Sequence, residues 1–159
     1  MNSAGKAFEQ WDERYQSEQY FYGTEPNDFL KSQAHRLLPG ASVFCLAEGE
    51  GRNAVFLAKQ GFSVTAVDGS AQGFVKLQKL AAQAGVNVRT VVKDLAHFEM
   101  GHRQYDAIVS IWCHLPQPLR AEIHRRVVVA LKPGGFFILE AYTPRQLQYK
   151  TGGPPNATM

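Results

Sequence analysis

CLAEGEGRNAVFLA, residues 45–58, places two glycines one residue apart between two apolar segments. The segment before them, 42–47, is short and β-rich, whereas the segment after them, 52–60, has apolar residues at intervals of three and four. These periodicities predict a strand followed by a helix. Gly49 and Gly51 then occupy the turn, where glycine permits positive φ and lets the backbone approach a ligand. Two glycines also suit an ordinary tight turn.

Short strands and helices alternate along most of the chain. Further strand patterns lie at 62–67, 86–92, 105–111 and 136–142, and further helical patterns at 71–84 and 118–131. Gly61 and Gly85 fall where helix C-caps belong. This order predicts an α/β fold, a Rossmann-like, doubly wound and mostly parallel sheet with helices on both faces.

The length of 159 residues suits one domain with one core. We expect a single domain over 1–159, divided into an N-terminal helical lid segment (1–40), a Rossmann-like core (41–142) and a loop tail (143–159). The tail carries Gly-Gly-Pro-Pro and no strand pattern, which leaves the apolar strand 136–142 at a sheet edge. Exposed edges of this kind associate, so the sequence predicts either a truncated chain or a homodimer formed through that edge.

The N-terminal segment contains two helical patterns, 7–16 and 27–38, joined by an aromatic and polar stretch. Such a pair is not needed to complete a sheet, and we expect it to cover a ligand site. Tyr20, Phe21 and Tyr22 of the joining stretch suit an apolar lid, and core packing explains them equally well.

Composition excludes several classes of function. The net charge of +3 comes without a basic track, which argues against a nucleic-acid partner. No apolar window approaches membrane-span length and the N-terminus has no signal-peptide pattern, so the sequence predicts a cytoplasmic protein without a membrane partner. Cys45 and Cys113 are expected to be reduced core residues, and the histidines show no ligand spacing, so no metal site is predicted.

Two aspartates follow predicted strands. Asp68 ends the strand 62–67, seventeen positions after Gly51, where a carboxylate can accept hydrogen bonds from a ribose diol. Capping of the next helix, which starts near Ser70, is the alternative role. Asp94 follows the third strand in the same row of strand ends, where it can accept from the exocyclic amine of a base.

These motifs resemble the class I S-adenosylmethionine-dependent methyltransferases. The matching pieces are AEGEGRNAVFLA, VTAVDGS, VVKDLAHF, YDAIVSIWCHL and LKPGGFFILEAY, and the N-terminal WDERY and YGTEPNDFL resemble the small-molecule branch that includes tellurite-resistance and thiopurine-type enzymes. The resemblance implies the methyltransferase fold, S-adenosylmethionine as cofactor and a small-molecule acceptor. The cofactor-binding residues that it implies are Ala47, Glu48, Gly49, Gly51, Asn53, Asp68, Gly69, Asp94, Leu95 and Ile111.

Two departures from the family pattern stand out. The family usually has an acidic residue at Cys45 and a glycine at Ala47, and here the acidity lies in Glu48 and Glu50 instead. One of these glutamates replaces the contact to the methionine ammonium, or that contact is lost. The last two strands of the family's sheet also have no counterpart in the chain.

Methyl transfer needs alignment more than acid or base chemistry, so a dedicated base is optional for a soft nucleophile. His114, in the loop after the fourth strand, is the candidate catalytic base for a harder one, and a structural role is its alternative. A nicotinamide-dependent oxidoreductase shares the glycine turn and the acidic residue. A module that binds S-adenosylmethionine without catalysis is the other alternative.

Overall fold

The computed structural model describes residues 3–157, with side chains described from residue 9 onward. The ends of the predicted domain, 1–2 and 158–159, lie outside the described residues. The strands are β1 (Ser42–Leu46), β2 (Ser63–Asp68), β3 (Arg89–Val92), β4 (Tyr105–Ile111) and β5 (Leu131–Glu140). The helices are α1 (Ser3–Tyr15), α2 (Asp28–Gln33), α3 (Arg52–Lys59), α4 (Ala71–Gln83), α5 (Gln117–Ala130) and α6 (Gln146–Tyr149), with 3-10 turns at Ala34–Arg36 and Leu95–His97.

The five strands form one sheet in the order β3-β2-β1-β4-β5, and every neighbouring pair is parallel. The chain builds one half outward from β1 to β3 and then returns to place β4 on the other side of β1. This reversal confirms the predicted Rossmann-like topology. It also creates a crevice between the carboxyl ends of β1 and β4, the place where doubly wound folds bind ligands.

The central strand β1 is buried on both faces. Val43 and Cys45 belong to the hydrophobic cluster beneath α3 and α4, whereas Phe44 and Leu46 belong to the cluster beneath α5. Successive side chains of a strand point to opposite faces, so a strand covered on both sides must be apolar throughout. This double burial explains why residues 43–47 form a continuous apolar run.

Several boundaries differ from the sequence prediction: α1 begins at Ser3 instead of 7, and β3 begins at Arg89 instead of 86. β5 begins at Leu131, because that residue pairs with Tyr105 before a register shift brings Phe136 opposite Ala107. α2 ends at Gln33 and tightens into a 3-10 turn instead of continuing to 38. The segment 143–159 was expected to be a loop, but it contains α6, which is held by a hydrogen bond from buried Gln146 to the Pro154 carbonyl.

β5 is an edge strand, as predicted, and it presents apolar side chains to solvent. Phe136 and Leu139 are 39% and 38% exposed. Pairing of this edge with a second chain stays a prediction. Within residues 3–157, no helix combines the length and apolar character needed to cross a bilayer.

The turn between β1 and α3 depends on both of its glycines. Gly49 and Gly51 have φ of 60° and 90°, in the left-handed region that glycine adopts without strain. A Cβ on Gly51 would lie 2.3 Å from Leu77 Cγ, and one on Gly49 would lie 2.6 Å from the Tyr15 hydroxyl. The sequence reasoning left this space to a ligand, but the protein's own side chains fill it.

Replacement of Gly51 by alanine tests this packing. We expect Gly51→Ala to lower the free energy of unfolding by about 1 to 3 kcal/mol more than Gly61→Ala does, because only the first adds a steric clash to the backbone strain. Gly61 has a similar φ of 86° and nothing within 4 Å of its added Cβ, so it is the matched control. Urea denaturation measures both. Equal losses would show that α4 moves aside without cost.

Candidate functional site

A cavity of about 550 Å³ opens at the carboxyl ends of the strands. It brings together all of the sequence-predicted site residues except one. Gly49 is the exception, and the Tyr15 hydroxyl covers the place where a Cβ on Gly49 would lie. The predicted residues in the wall are Ala47, Glu48, Gly51, Asn53, Asp68, Gly69, Asp94, Leu95, Ile111 and His114.

The carboxylate of Asp68 joins the end of β2 to the glycine turn. Its Oδ2 accepts a hydrogen bond from the Gly49 amide at 2.8 Å, and its Oδ1 accepts one from the Ser70 amide, also at 2.8 Å. Ser70 itself is the N-cap of α4, because its hydroxyl accepts from the Gly73 amide at 3.0 Å. Asp68 is therefore not the cap that the alternative reading assigned, and it faces the cavity with its orientation fixed by two amides.

A carboxylate oxygen accepts about two hydrogen bonds, so each oxygen of Asp68 keeps capacity for a ligand. Burial raises the pKa of Asp68 above its usual value, and hydrogen bonds from the backbone of Ser70 and Gly49 act in the opposite direction. The site thus presents a carboxylate with room for two hydroxyl donors.

Asp94 and Leu95 occupy a 3-10 turn after β3. The Oδ1 atom of Asp94 accepts from the Ala96 amide at 2.9 Å, which makes Asp94 the N-cap of the turn. Arg126 of α5 holds the other side of the turn, since one nitrogen of its guanidinium donates to the Leu95, Ala96 and Phe98 carbonyls at 3.1 to 3.3 Å. This part of the wall is therefore fixed by a residue outside the cavity.

Glu48 occupies the centre of the turn. Its Oε1 accepts from the Ala54 amide at 2.7 Å, so its carboxyl group caps the first turn of α3. Burial raises the pKa of Glu48 to about 7, while hydrogen bonds from the Ala54 and Asn53 amides oppose the shift. Burial, with a smaller contribution from the nearby carboxyl group of Glu48, raises the pKa of Cys45, which stands where the family has an acid. The carboxyl group of Glu48 thus lies near Cys45, at the position where the family has an acidic residue.

Asn53 has a structural partner that the sequence reasoning did not anticipate. Its side-chain oxygen accepts from the backbone amide of Asn27 at 2.9 Å, and the Asn27 side chain in turn donates to Glu140 at 2.6 Å. Asn53 therefore connects α3 to the start of α2, and through it to the end of β5. Its place in the cavity wall and this role in packing coexist.

His114 lies in the wall with its Nε2 occupied. That atom accepts a hydrogen bond from the Tyr142 amide at 3.1 Å, and the two rings stack at 5.5 Å. Burial lowers the pKa of His114, and a hydrogen bond with the Trp112 backbone partly opposes the shift. The imidazole is neutral near pH 7, but its Nε2, the nitrogen that could accept a proton, already accepts a hydrogen bond from the Tyr142 amide.

An aromatic rim, consisting of Trp11, Tyr15, Tyr22 and Trp112, surrounds part of the cavity. Tyr22 and Trp112 meet edge to face at 5.7 Å, and the guanidinium of Arg52 lies over both rings, at 5.7 and 5.2 Å from their centroids. Trp112 has a positive φ of 56°. Of the predicted lid aromatics, only Tyr22 lines the cavity, whereas Phe21 is half exposed and Tyr20 packs on Lys76.

Sequence reasoning missed Trp11, Tyr15, Trp112 and Arg52. The WDERY motif was the available signal for the first two, since a helix places residues four apart on one face. Cys113 was expected in the core, and it packs against the cluster beneath α5 while it also lines the cavity. Both cysteines are free thiols, and burial raises the pKa of Cys113 to about 12, which keeps it protonated.

The charges of the wall suit a cationic nucleoside ligand. Among the described residues that line the cavity, the carboxyl groups belong to Glu48, Glu50, Asp68 and Asp94, and Arg52 supplies the permanent positive charge. Glu50 is neutralised by an ion pair with Lys76. A ribose and a base can then contact Asp68 and Asp94, while excess negative charge remains for a sulfonium and an ammonium group.

Comparison with known proteins identifies the family of the chain. Residues 43–135, more than half of the chain, match the family described as a methyltransferase domain. No curated protein matches the chain by sequence.

Solved structures share the fold at low sequence identity. The PH0226 protein from Pyrococcus horikoshii OT3 is 22% identical with a TM-score of 0.69, over 94% of this chain and 70% of that one. A SAM-dependent methyltransferase from Geobacter sulfurreducens, in complex with S-adenosyl-L-homocysteine, is 19% identical with a TM-score of 0.65, over 80% and 53%. TehB from Haemophilus influenzae is 23% identical with a TM-score of 0.65, over 74% and 41%. The chain therefore spans about half or less of the last two proteins.

The burial of Glu48 makes a prediction about stability and pH. A glutamate in an unfolded chain titrates near 4.5, whereas folded Glu48 holds its proton to about pH 7. Unfolding therefore releases a proton between these values, and the wild-type protein loses stability as pH rises through this window. Glutamine keeps the oxygen that accepts from Ala54 but cannot ionise. We expect the free energy of unfolding of Glu48→Gln, relative to that of wild type, to increase by about 1 to 3 kcal/mol as the pH rises from 4.5 to 7.

Urea denaturation at pH 5 and pH 7.5 measures this gain. Glu99→Gln, at an exposed position, is the matched control and is expected to follow the wild-type pH dependence. If the free energies of unfolding of Glu48→Gln and wild type change equally between the two pH values, the carboxyl group of Glu48 is not protonated in the folded state.

Proposed function

The chain belongs to the methyltransferase-domain family, enzymes that take a methyl group from S-adenosylmethionine, and on this premise we propose that it methylates a small-molecule acceptor in the cavity. The observation that carries the proposal is the carboxylate of Asp68, fixed by the Gly49 and Ser70 amides while it faces the cavity. An enzyme that binds an adenosyl group at a switch point needs such an acceptor at the end of its second strand.

Three parts of the wall would hold the cofactor. Asp68 would accept from the ribose hydroxyls with the lone pairs that its backbone partners leave unused. Asp94 and Leu95 would contact the adenine, in the 3-10 turn that Arg126 fixes from behind. Ile111, at the end of β4, would pack against a face of the base.

Glu48 would face the methionine ammonium. Bringing an ammonium group close to a carboxyl group favours its charged form, so binding would lower the pKa of Glu48 from about 7 and release a proton. The relocated acid would then replace the contact that the family makes from the position of Cys45. Affinity for the cofactor would rise with pH through the range in which Glu48 ionises.

S-adenosylmethionine supplies an activated methyl group that is transferred to the acceptor while the sulfonium becomes a thioether. The protein's part is to align the acceptor and exclude water, for which the rim of Tyr22, Trp112 and Arg52 is placed. His114 would serve as a base only after Nε2 releases the Tyr142 amide. A soft nucleophile such as a thiolate, which has already lost its proton to solvent and needs no base, is therefore the acceptor that this geometry favours.

The small-molecule branch with tellurite-resistance and thiopurine-type enzymes is the subgroup that we propose. Two features support it: the N-terminal segment contributes Trp11, Tyr15 and Tyr22 to the cavity, and the fold is shared with TehB from Haemophilus influenzae. The enclosed rim offers space for a small molecule.

Isothermal titration calorimetry with S-adenosylhomocysteine and NAD, followed by transfer of labelled methyl groups to small thiols, tests the function. We expect one S-adenosylhomocysteine per chain, no binding of NAD and transfer to at least one thiol. Binding without transfer to thiols, amines or phenols would favour the non-catalytic module. Preference for NAD, or a folded protein that binds neither, would reject the proposal.

The role of Asp68 predicts a specific coupling between protein and ligand. We expect Asp68→Ala to weaken S-adenosylhomocysteine binding by about 1.5 to 3 kcal/mol, roughly 10- to 100-fold. A 2′-deoxy analogue should bind wild type less well than S-adenosylhomocysteine does, whereas Asp68→Ala should bind the two ligands equally.

This comparison separates ribose contact from general damage. Asp68→Ala also removes the bonds to Gly49 and Ser70, so its melting temperature must be measured alongside. If the variant keeps the wild-type preference for the 2′-hydroxyl, Asp68 does not contact the ribose.

A further inference from the structure

Lys76 is a buried charge outside the cavity. It lies on α4, is only 9% exposed, and forms an ion pair with Glu50, which is 5% exposed. A buried charge is costly unless it is paired and hydrogen-bonded. The partners of Lys76 therefore indicate what this pair does in the fold.

The ammonium group of Lys76 is satisfied by the N-terminal segment. Besides the ion pair with Glu50, it donates to the Ser17 carbonyl at 2.9 Å and to the Gln19 carbonyl at 2.6 Å. Two of the three donors of the ammonium are taken by these carbonyls, and Glu50 supplies the opposite charge. Both carbonyls belong to the N-terminal segment, which they fasten to α4.

Further contacts fasten the same segment to the pair. The Phe21 amide donates to Glu50 Oε2 at 2.7 Å. The Tyr20 hydroxyl donates to the Lys76 carbonyl at 3.1 Å, and the ring of Tyr20 lies 4.7 Å from the ammonium. Residues 17–21 are thus bound through two carbonyls, one amide and one aromatic side chain.

The fastened segment connects two side chains of the cavity rim. Tyr15 precedes it at the end of α1, and Tyr22 follows it directly. α1 has its own attachment, because the Ser70 hydroxyl donates to Asp12 at 2.5 Å. The path from Tyr15 to Tyr22 therefore depends on the pair of Lys76 and Glu50.

We propose that Lys76, paired with Glu50, is a positioning residue that holds segment 17–21 so that Tyr15 and Tyr22 enclose the cofactor cavity. The proposal rests on the proposed function, because it assigns the consequence to cofactor retention. Release of the segment would leave the ammonium without its two carbonyl acceptors. The closed arrangement is therefore the favoured one, and ligand escape is slowed.

The first test uses chymotrypsin, without any ligand. Tyr20, Phe21 and Tyr22 are cleavage sites within or next to the fastened segment. We expect Lys76→Met to be cleaved there about tenfold faster than wild type, in proportion to the larger population of the open segment. Lys79→Met, an exposed lysine one turn further along α4, is the matched control and is expected to behave like wild type.

The second test measures release of S-adenosylhomocysteine by stopped flow, with the fluorescence of Trp11 and Trp112 at the cavity rim as the signal. We expect Lys76→Met to release the ligand about tenfold faster, with a similar loss of affinity, because loss of a buried charged contact acts mainly on dissociation. With S-adenosylmethionine as substrate, its KM is expected to rise about tenfold while kcat changes less than threefold.

Lys76→Met leaves Glu50 unpaired and so risks unfolding. The double variant Glu50→Gln/Lys76→Met removes both charges, so no buried charge is left unpaired and the variant is expected to fold. It still lacks the bonds to Ser17 and Gln19, so it is expected to show the same fast cleavage and release. The proposal would be overturned if a folded Lys76 variant were cleaved by chymotrypsin, and released S-adenosylhomocysteine, no faster than Lys79→Met. If wild type does not bind S-adenosylhomocysteine but Lys76→Met is cleaved fast, the methyltransferase function is rejected, while the role of Lys76 in holding segment 17–21 stands.

Discussion

The hydrogen bond between the Asp68 carboxylate and the Gly49 amide is the contact on which the site depends. It ties the end of β2 to the turn that follows β1, and the other carboxylate oxygen ties the same side chain to the start of α4. Three separate elements thereby meet at one side chain. Its negative charge is stabilised by amides and directed into the cavity, as an acceptor for ribose hydroxyls must be.

The glycine turn and Asp68 depend on each other. Gly49 has positive φ in the turn whose amide donates to the carboxylate, and Gly51 must lack a Cβ because Leu77 occupies that space. Ala47, also with positive φ at 49°, takes the strain that the family's glycine avoids. Such a strain, of order 1 kcal/mol, persists when surrounding contacts hold the backbone in place.

The other half of the site comes from outside the sheet. Lys76 and Glu50 hold the N-terminal segment, and Arg126 holds the turn that contains Asp94. These residues use buried or half-buried charges to fix backbone carbonyls and an amide. Lys76 and Arg126 thus lie outside the cavity wall that they position, whereas Glu50 is part of it.

The sequence predicted the strands, the helices and the row of strand-end residues because these follow from local periodicity and from parallel topology. It predicted Asp68 and Asp94 for the same reason: the carboxyl ends of parallel strands share one edge. It did not predict the burial of Lys76, since a lysine in a helix is usually exposed, nor the contact between Asn53 and Asn27, which joins residues 26 positions apart. Short elements such as α6 depend on a tertiary contact that periodicity does not contain.

A crystal structure of the complex with S-adenosylhomocysteine tests the central claim most directly. The account predicts both ribose hydroxyls within hydrogen-bonding distance of the Asp68 carboxylate, with the bond to the Gly49 amide retained. A nucleoside bound elsewhere, or an Asp68 side chain that contacts only its backbone partners in the complex, would contradict it.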